Sequence, residues 1–329
     1  MYDIIAIDIA FEFGQLYDKS GDTTQAFQYF AEGNRLAQQY PAYQGINPAE
    51  FTGLVDGMNA RLSVDWLATW KDISPSAKDR TPAFIIGFPR LGTTLTEQIL
   101  SAHPLLPTLD EKPTLETMQA QLPSYSDALA PLNDTQAEAL RTVYYDAANE
   151  FIDTGGAART VDKMPLNIIH TVSIKRLFPA AKLILVVRHP CDACLSCFMQ
   201  NFVINSSMAN FFSLEDSARF YEKIMGLWLK SARLLALDYN IIRYEDLVSD
   251  FETETRKMLD FLQLEWDPAV ADFAAHARQR CKILQPSYHQ VTQEIYQSAK
   301  YRWQRYRGQF TDVKETLAPF VTEFGYSWD

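Results

Sequence analysis

Apolar and small residues recur at helical spacing through roughly the first 70 positions, ending near Trp70. Gly14, Ala26 and Gly33 lie among aromatic positions Phe13, Tyr17 and Phe30, with Gly21 between the two halves. This pattern predicts a helical hairpin in which small residues allow close approach and aromatics fill the gap. Residues 74–81 (SPSAKDRT) are polar and read as a linker. An apolar run at residues 83–86 then predicts a strand, followed by a glycine-bounded loop and a helix from about Thr93. Further strands are expected at residues 182–187 and 241–243. Helical periodicity marks residues 136–152, 213–237 and 252–262. Strands alternating with helices imply an α/β fold, with a parallel sheet covered on both faces.

The seven hairpin positions match the spacing of one tetratricopeptide repeat, a unit of about 34 residues. Only one copy is present, and a lone repeat cannot bury both faces, so it is expected to pack on the domain that follows. The length of 329 residues suggests about two domains. The expected division is a helical segment at 1–75 and an α/β domain at 81–329.

Charge narrows the function. The net charge of −11 argues against non-specific binding to duplex DNA or anionic membranes, both of which need a basic footprint. A few local cations can still hold a small anion. The apolar runs are strand-sized, and Asp3 and Asp8 make the N-terminus a poor signal peptide. Four cysteines do not form a disulfide framework, so a cytosolic protein is expected. The run Cys191, Cys194, Cys197 lacks the fourth cysteine of an iron–sulfur segment and reads as apolar filling of a buried helix face.

Gly87 and Gly92 stand five apart between the strand and the helix, with Thr93 and Thr94 next. This is the spacing of a phosphate-binding loop, whose helix start aims N–H groups at an anion. The lysine of a nucleoside triphosphatase is replaced by Thr93, and the loop's cation is Arg90. The strand at 182–187 runs into Arg188, not into an acidic metal ligand. An anion held by cations and backbone, without a metal, follows. A P-loop kinase is disfavoured for the same reasons.

Residues 89–104 (PRLGTTLTEQILSAHP) resemble the 5′-phosphosulfate loop of sulfotransferases that use 3′-phosphoadenosine 5′-phosphosulfate (PAPS). The nearest group is the bacterial sulfotransferases with tetratricopeptide repeats, relatives of the tyrosylprotein sulfotransferases. Leu91 stands where that pattern has serine. Residues 185–202 are similar to the family's 3′-phosphate element, matched at Arg188 and Ser196. Further matches are residues 162–165 (DKMP), 243–247 (RYEDL), 295–298 (IYQS) and Arg302-Trp303. The resemblance runs from Phe13 to about Tyr306 and implies a P-loop-like, three-layer α/β/α domain.

The resemblance also implies roles. Glu111, at the family's spacing after His103-Pro104, would be the base for the acceptor hydroxyl, with a surface glutamate as the alternative. Asp110 is adjacent and could exchange roles with it. His103 is a rival base, although its place in a turn favours a structural hydrogen bond. Arg90 and Lys163 would meet the leaving group. Leu91, Gly92, Thr93 and Thr94 would cradle the 5′-phosphosulfate, Arg188 and Ser196 the 3′-phosphate, and Tyr244 would lie near the adenine unless it is a core tyrosine. Arg302 belongs to a C-terminal basic group with Arg278, Arg280, Lys282, Lys300, Arg305 and Arg307, which would either fold over the 3′-phosphate or remain a solvated face. The implied acceptor bears a hydroxyl: a peptide tyrosine, a phenol, an alcohol or a saccharide. The competing reading is a non-catalytic peptide-binding module on the same scaffold.

Overall fold

The computed structural model describes residues 4–75, 81–123, 125–153, 159–280 and 300–329. Most of the 74–81 linker, Lys282 and the 295–298 match lie outside these residues, as do the side chains of Arg278 and Arg280. In chain order the helices are α1 (Ile4–Ser20), α2 (Thr23–Gln39), α3 (Pro48–Arg61) and α4 (Val64–Ala68), followed by α5 (Thr93–Ser101), α6 (Thr114–Gln119), α7 (Tyr125–Leu129) and α8 (Asp134–Asn149). Next come α9 (Thr171–Leu177), α10 (Pro190–Phe198), α11 (Leu214–Leu235), α12 (Tyr244–Ser249), α13 (Phe251–Leu262), α14 (Phe273–Arg280) and α15 (Lys314–Glu323). The strands are β1 (Ala83–Ile86), β2 (Thr108–Asp110), β3 (Val161–Lys163), β4 (Lys182–Val187) and β5 (Tyr239–Arg243). No helix among the described residues is long and apolar enough to cross a membrane.

The chain folds into two compact units. The first comprises residues 1–57, 189–226 and 299–329, the second residues 58–188 and 227–298.

In the first unit α1 and α2 form the expected hairpin. A Cβ at Gly14 would stand 2.7 Å from the Phe30 ring, and one at Gly33 would stand 2.8 Å from Phe11. The hairpin therefore closes to a distance that only glycine permits at these two crossings. Asp22 caps α2 by accepting from the Gln25 N–H. The C-terminal stretch is tied to α1 by Asp18, which pairs with Arg302 (2.8 Å) and Arg305 (3.1 Å) and accepts the Tyr306 hydroxyl (2.6 Å). Three basic or phenolic groups compensate one nearly buried carboxylate, as burial of a charge requires. Cys191, Cys194 and Cys197 are buried thiols on α10, as the apolar reading expects.

The second unit holds a five-stranded parallel sheet in the order β2-β3-β1-β4-β5. The fold is α/β, with helices on both faces of this sheet. β1 is entirely buried, and every residue of β4 after Lys182 is buried. Such unbroken apolar runs belong to parallel strands covered on both sides. β1 and β4 occupy the expected residues, and β5 begins two residues earlier than expected. β2 and β3, three residues each, have too few positions to show a period.

Candidate active site

Parallel sheets place ligands beyond the carboxyl ends of their strands, where the strand order reverses. Here β1 lies between β3 and β4, so the loop after β1 opens at that reversal. The expected residues follow the strand ends in turn. The glycine loop follows β1, Asp110 ends β2 with Glu111 next to it, Lys163 ends β3, Arg188 follows β4, and Tyr244 follows β5. All of them belong to the second unit.

The loop is built for close backbone approach. A Cβ at Gly87 would come within 2.8 Å of the Val186 carbonyl oxygen. Gly92 caps α5 at φ 99°, in the left-handed region. Arg90 also lies there, at φ 68°. A non-glycine residue in that conformation is strained and needs surrounding structure to hold it. Thr93 and Thr94 open α5 and are largely buried. The first N–H groups of any α-helix lack intrahelical partners, so this end suits an anion. Leu91 is buried against the loop's interior, within 3.1 Å of the position of a Gly87 Cβ.

Arg188 is buried, stands 5.1 Å from the Tyr244 ring centre, and donates to the Arg90 carbonyl at 3.4 Å. A Cβ at Gly92 would lie 2.6 Å from the same tyrosine ring. Gly92→Ala therefore meets both a ring and a disfavoured φ. Its expected effect is a stability loss of about 1–3 kcal/mol, read by urea denaturation. An unchanged midpoint would mean that Tyr244 is not fixed against the loop.

The second cluster joins β2 and β3. Their register pairs Asp110 with Lys163, and the Glu111 N–H donates to the Lys163 carbonyl at 2.7 Å. The Lys163 ammonium then sits 2.5 Å from Asp110 and 2.7 Å from Glu111. Lys163 is fully buried, while the Glu111 side chain remains 34% exposed. Desolvation works against the buried ammonium, but the charges and hydrogen bonds of Glu111 and Asp110 outweigh it and raise the Lys163 pKa above its ordinary value. The lysine stays charged across the neutral range. Glu111 adopts φ 50°, a second strained residue at the site.

The remaining expectations fall elsewhere. Ser196 stands on α10 in the first unit. Arg302, expected at the cofactor, is in the first unit and forms the Asp18 ion pair. His103 Nδ1 accepts the Leu105 N–H at 3.2 Å, and Nε2 lies 3.2 Å from the Glu265 carbonyl. Both ring nitrogens have structural partners, as the turn position suggested. The Asp110–Lys163 contact was missed by the sequence reading. Its only local signal was the adjacency of two acids at residues 110 and 111.

The sulfotransferase family profile matches residues 82–268, over half of the chain. An uncharacterized protein of Aquifex aeolicus is 28% identical over 255 residues, which cover 72% of this chain and 32% of that protein. Protein-tyrosine sulfotransferase A of Caenorhabditis elegans is 26% identical over 212 residues, 59% of this chain and 53% of that protein. The chain thus spans about a third of one of these relatives and about half of the other. Among solved structures, the sulfotransferase domain of the Synechococcus PCC 7002 olefin synthase superposes with a TM-score of 0.57 at 22% identity, covering 79% of this chain and 99% of that domain.

Proposed function

From the premise that the chain belongs to the sulfotransferase family, we propose that it moves a sulfuryl group from PAPS to a hydroxyl acceptor. The observation that carries this reading is the Glu111–Lys163–Asp110 cluster, at the same end of the sheet as the glycine loop. The catalytic domain on this reading is residues 81–329, with 1–75 as an accessory helical segment.

Four features of the loop support a phosphate-bearing donor. It offers glycine positions that other residues would block, a helix start, two hydroxyls and the Arg90 cation. In the proposal Leu91, Gly92, Thr93 and Thr94 hold the 5′ end through backbone N–H and hydroxyl groups. Arg188 holds the 3′-phosphate and Tyr244 flanks the adenine, while a 3′-phosphate role for Ser196 rests on the resemblance alone. So does the part proposed for Arg302. The donor supplies a sulfuryl group bonded to a phosphate that leaves with its charge. Arg90 and Lys163 meet that charge, and a cation fixed in a poorly solvated site needs little reorganisation to do so.

Glu111 takes the proton of the acceptor hydroxyl. The cluster explains why it can. One ammonium faces two carboxylates, so one negative charge is left over. Asp110 keeps Lys163 compensated while Glu111 accepts a proton.

Two measurements test this. Labelled-sulfate transfer from PAPS across a peptide tyrosine, a phenol and a saccharide should show turnover on at least one acceptor class. Calorimetry with 3′-phosphoadenosine 5′-phosphate should show binding, weakened in Arg188→Ala by about 1.5–3 kcal/mol for the loss of a charge-assisted hydrogen bond. A folded protein that binds no nucleotide and transfers nothing would refute the reading.

A further inference from the structure

Asp162 has no part in the reaction as proposed, yet it lies one residue before Lys163 and is fully buried. Its Oδ2 accepts the Thr114 hydroxyl at 2.5 Å and the Tyr144 hydroxyl at 3.0 Å. Its Oδ1 is buried without a hydrogen-bond partner among the described residues. The residues beside it in register, Phe84 on β1 and Leu109 on β2, carry no charge. The charged or titratable groups that act on it are Lys163, next along its own strand, and Tyr144 on α8. Burial pushes its pKa up to about 6, against the opposing pull of Thr114, Tyr144 and Lys163. A raised carboxyl pKa favours the folded state below the ordinary value of 3.8, and this benefit is lost as pH rises through about 6. At neutral pH, where the group is ionised, that benefit is absent.

Its geometry points to a use. Thr114 opens α6 only three residues beyond Glu111. The intervening turn contains the strained Glu111 and is anchored to β3 at both ends. The Glu111 N–H donates to the Lys163 carbonyl, and the Thr114 hydroxyl donates to Asp162. The second anchor adds a tie at the far end of the turn to the backbone hydrogen bond and the ammonium contact that hold Glu111 itself.

We propose that Asp162 is a positioning residue: through Thr114 it pins the far end of the Glu111 turn to β3 and so holds the Glu111 carboxylate against the Lys163 ammonium. The inference rests on the reading of Glu111 as proton acceptor and Lys163 as cation.

Thr114→Val removes the donor and keeps the shape, whereas Thr114→Ser keeps the donor. Two readouts are taken on the full chain: kcat for sulfuryl transfer beside nucleotide affinity, and the ¹H–¹⁵N resonance of the Lys163 ammonium, assigned by its loss in Lys163→Met. Thr114→Val is expected to lower kcat about tenfold or more with nucleotide affinity unchanged, the pattern of a group that matters mainly in the transition state. It should also shift the ammonium resonance, and Thr114→Ser should restore both. Thr114→Ala removes the same donor with less bulk and gives a second test of the same kind should Thr114→Val fail to fold. Wild-type kcat, or an unmoved ammonium resonance in a folded donor-free variant, would overturn the proposal. If the wild type transfers no sulfuryl group at all, the fault lies with the functional reading, and the ammonium resonance alone decides whether Asp162 positions the pair.

Discussion

Lys163→Ala is expected to lower sulfuryl transfer by orders of magnitude and to destabilise the second unit. The ammonium is fully buried between two carboxylates at 2.5 and 2.7 Å. Removing it leaves Asp110 and Glu111 facing each other with no cation between them. Breaking a buried pair from one side costs about 3–5 kcal/mol. The lower end applies here, because Glu111 is one-third exposed and water can screen it. Loss of a fixed charge-stabilising group should lower kcat by about 10²–10³. Single-turnover transfer and urea denaturation on the same preparation separate the two effects. Substantial turnover by a folded variant would remove Lys163 from the leaving-group role.

Glu111→Gln is expected to act differently. The amide cannot accept the proton, but it keeps the shape of the side chain and one oxygen that can face Lys163. Turnover should fall by about 10²–10⁴, the range for losing a general base, with nucleotide affinity near wild type. Asp110 still compensates Lys163, so the variant should fold. The comparison is kcat against the dissociation constant of 3′-phosphoadenosine 5′-phosphate. Turnover close to wild type would make Asp110, the other carboxylate on the same ammonium, the stronger candidate for the base.

What could be read from the chain was local. The buried runs of β1 and β4, the Gly87–Gly92 loop and the start of α5 each carry their signal within a few residues. So does the hairpin, through Gly14 and Gly33. What could not be read was register. Asp110 and Lys163 are separated by more than fifty positions, and only the parallel pairing of β2 with β3 sets them side by side. Each strand is too short to announce itself. The left-handed turn at Glu111 is equally silent, because the residue is not a glycine. Arg302 meets Asp18 across 284 positions, a contact that no spacing rule reaches. Asp162 was read only as part of a motif, and the value of its carboxyl depends on the hydroxyls of Thr114 and Tyr144, which approach from two different helices.

The sulfur atoms of α10 have a practical consequence. Burial pushes the thiols of Cys191 and Cys194 well above their ordinary pKa, so almost none of the nucleophilic anion forms near neutrality. Peroxide, alkylating agents and disulfide-exchange reagents attack that anion. While α10 stays seated, these two sulfurs are chemically asleep. Their modification requires that α10 first leave its seat.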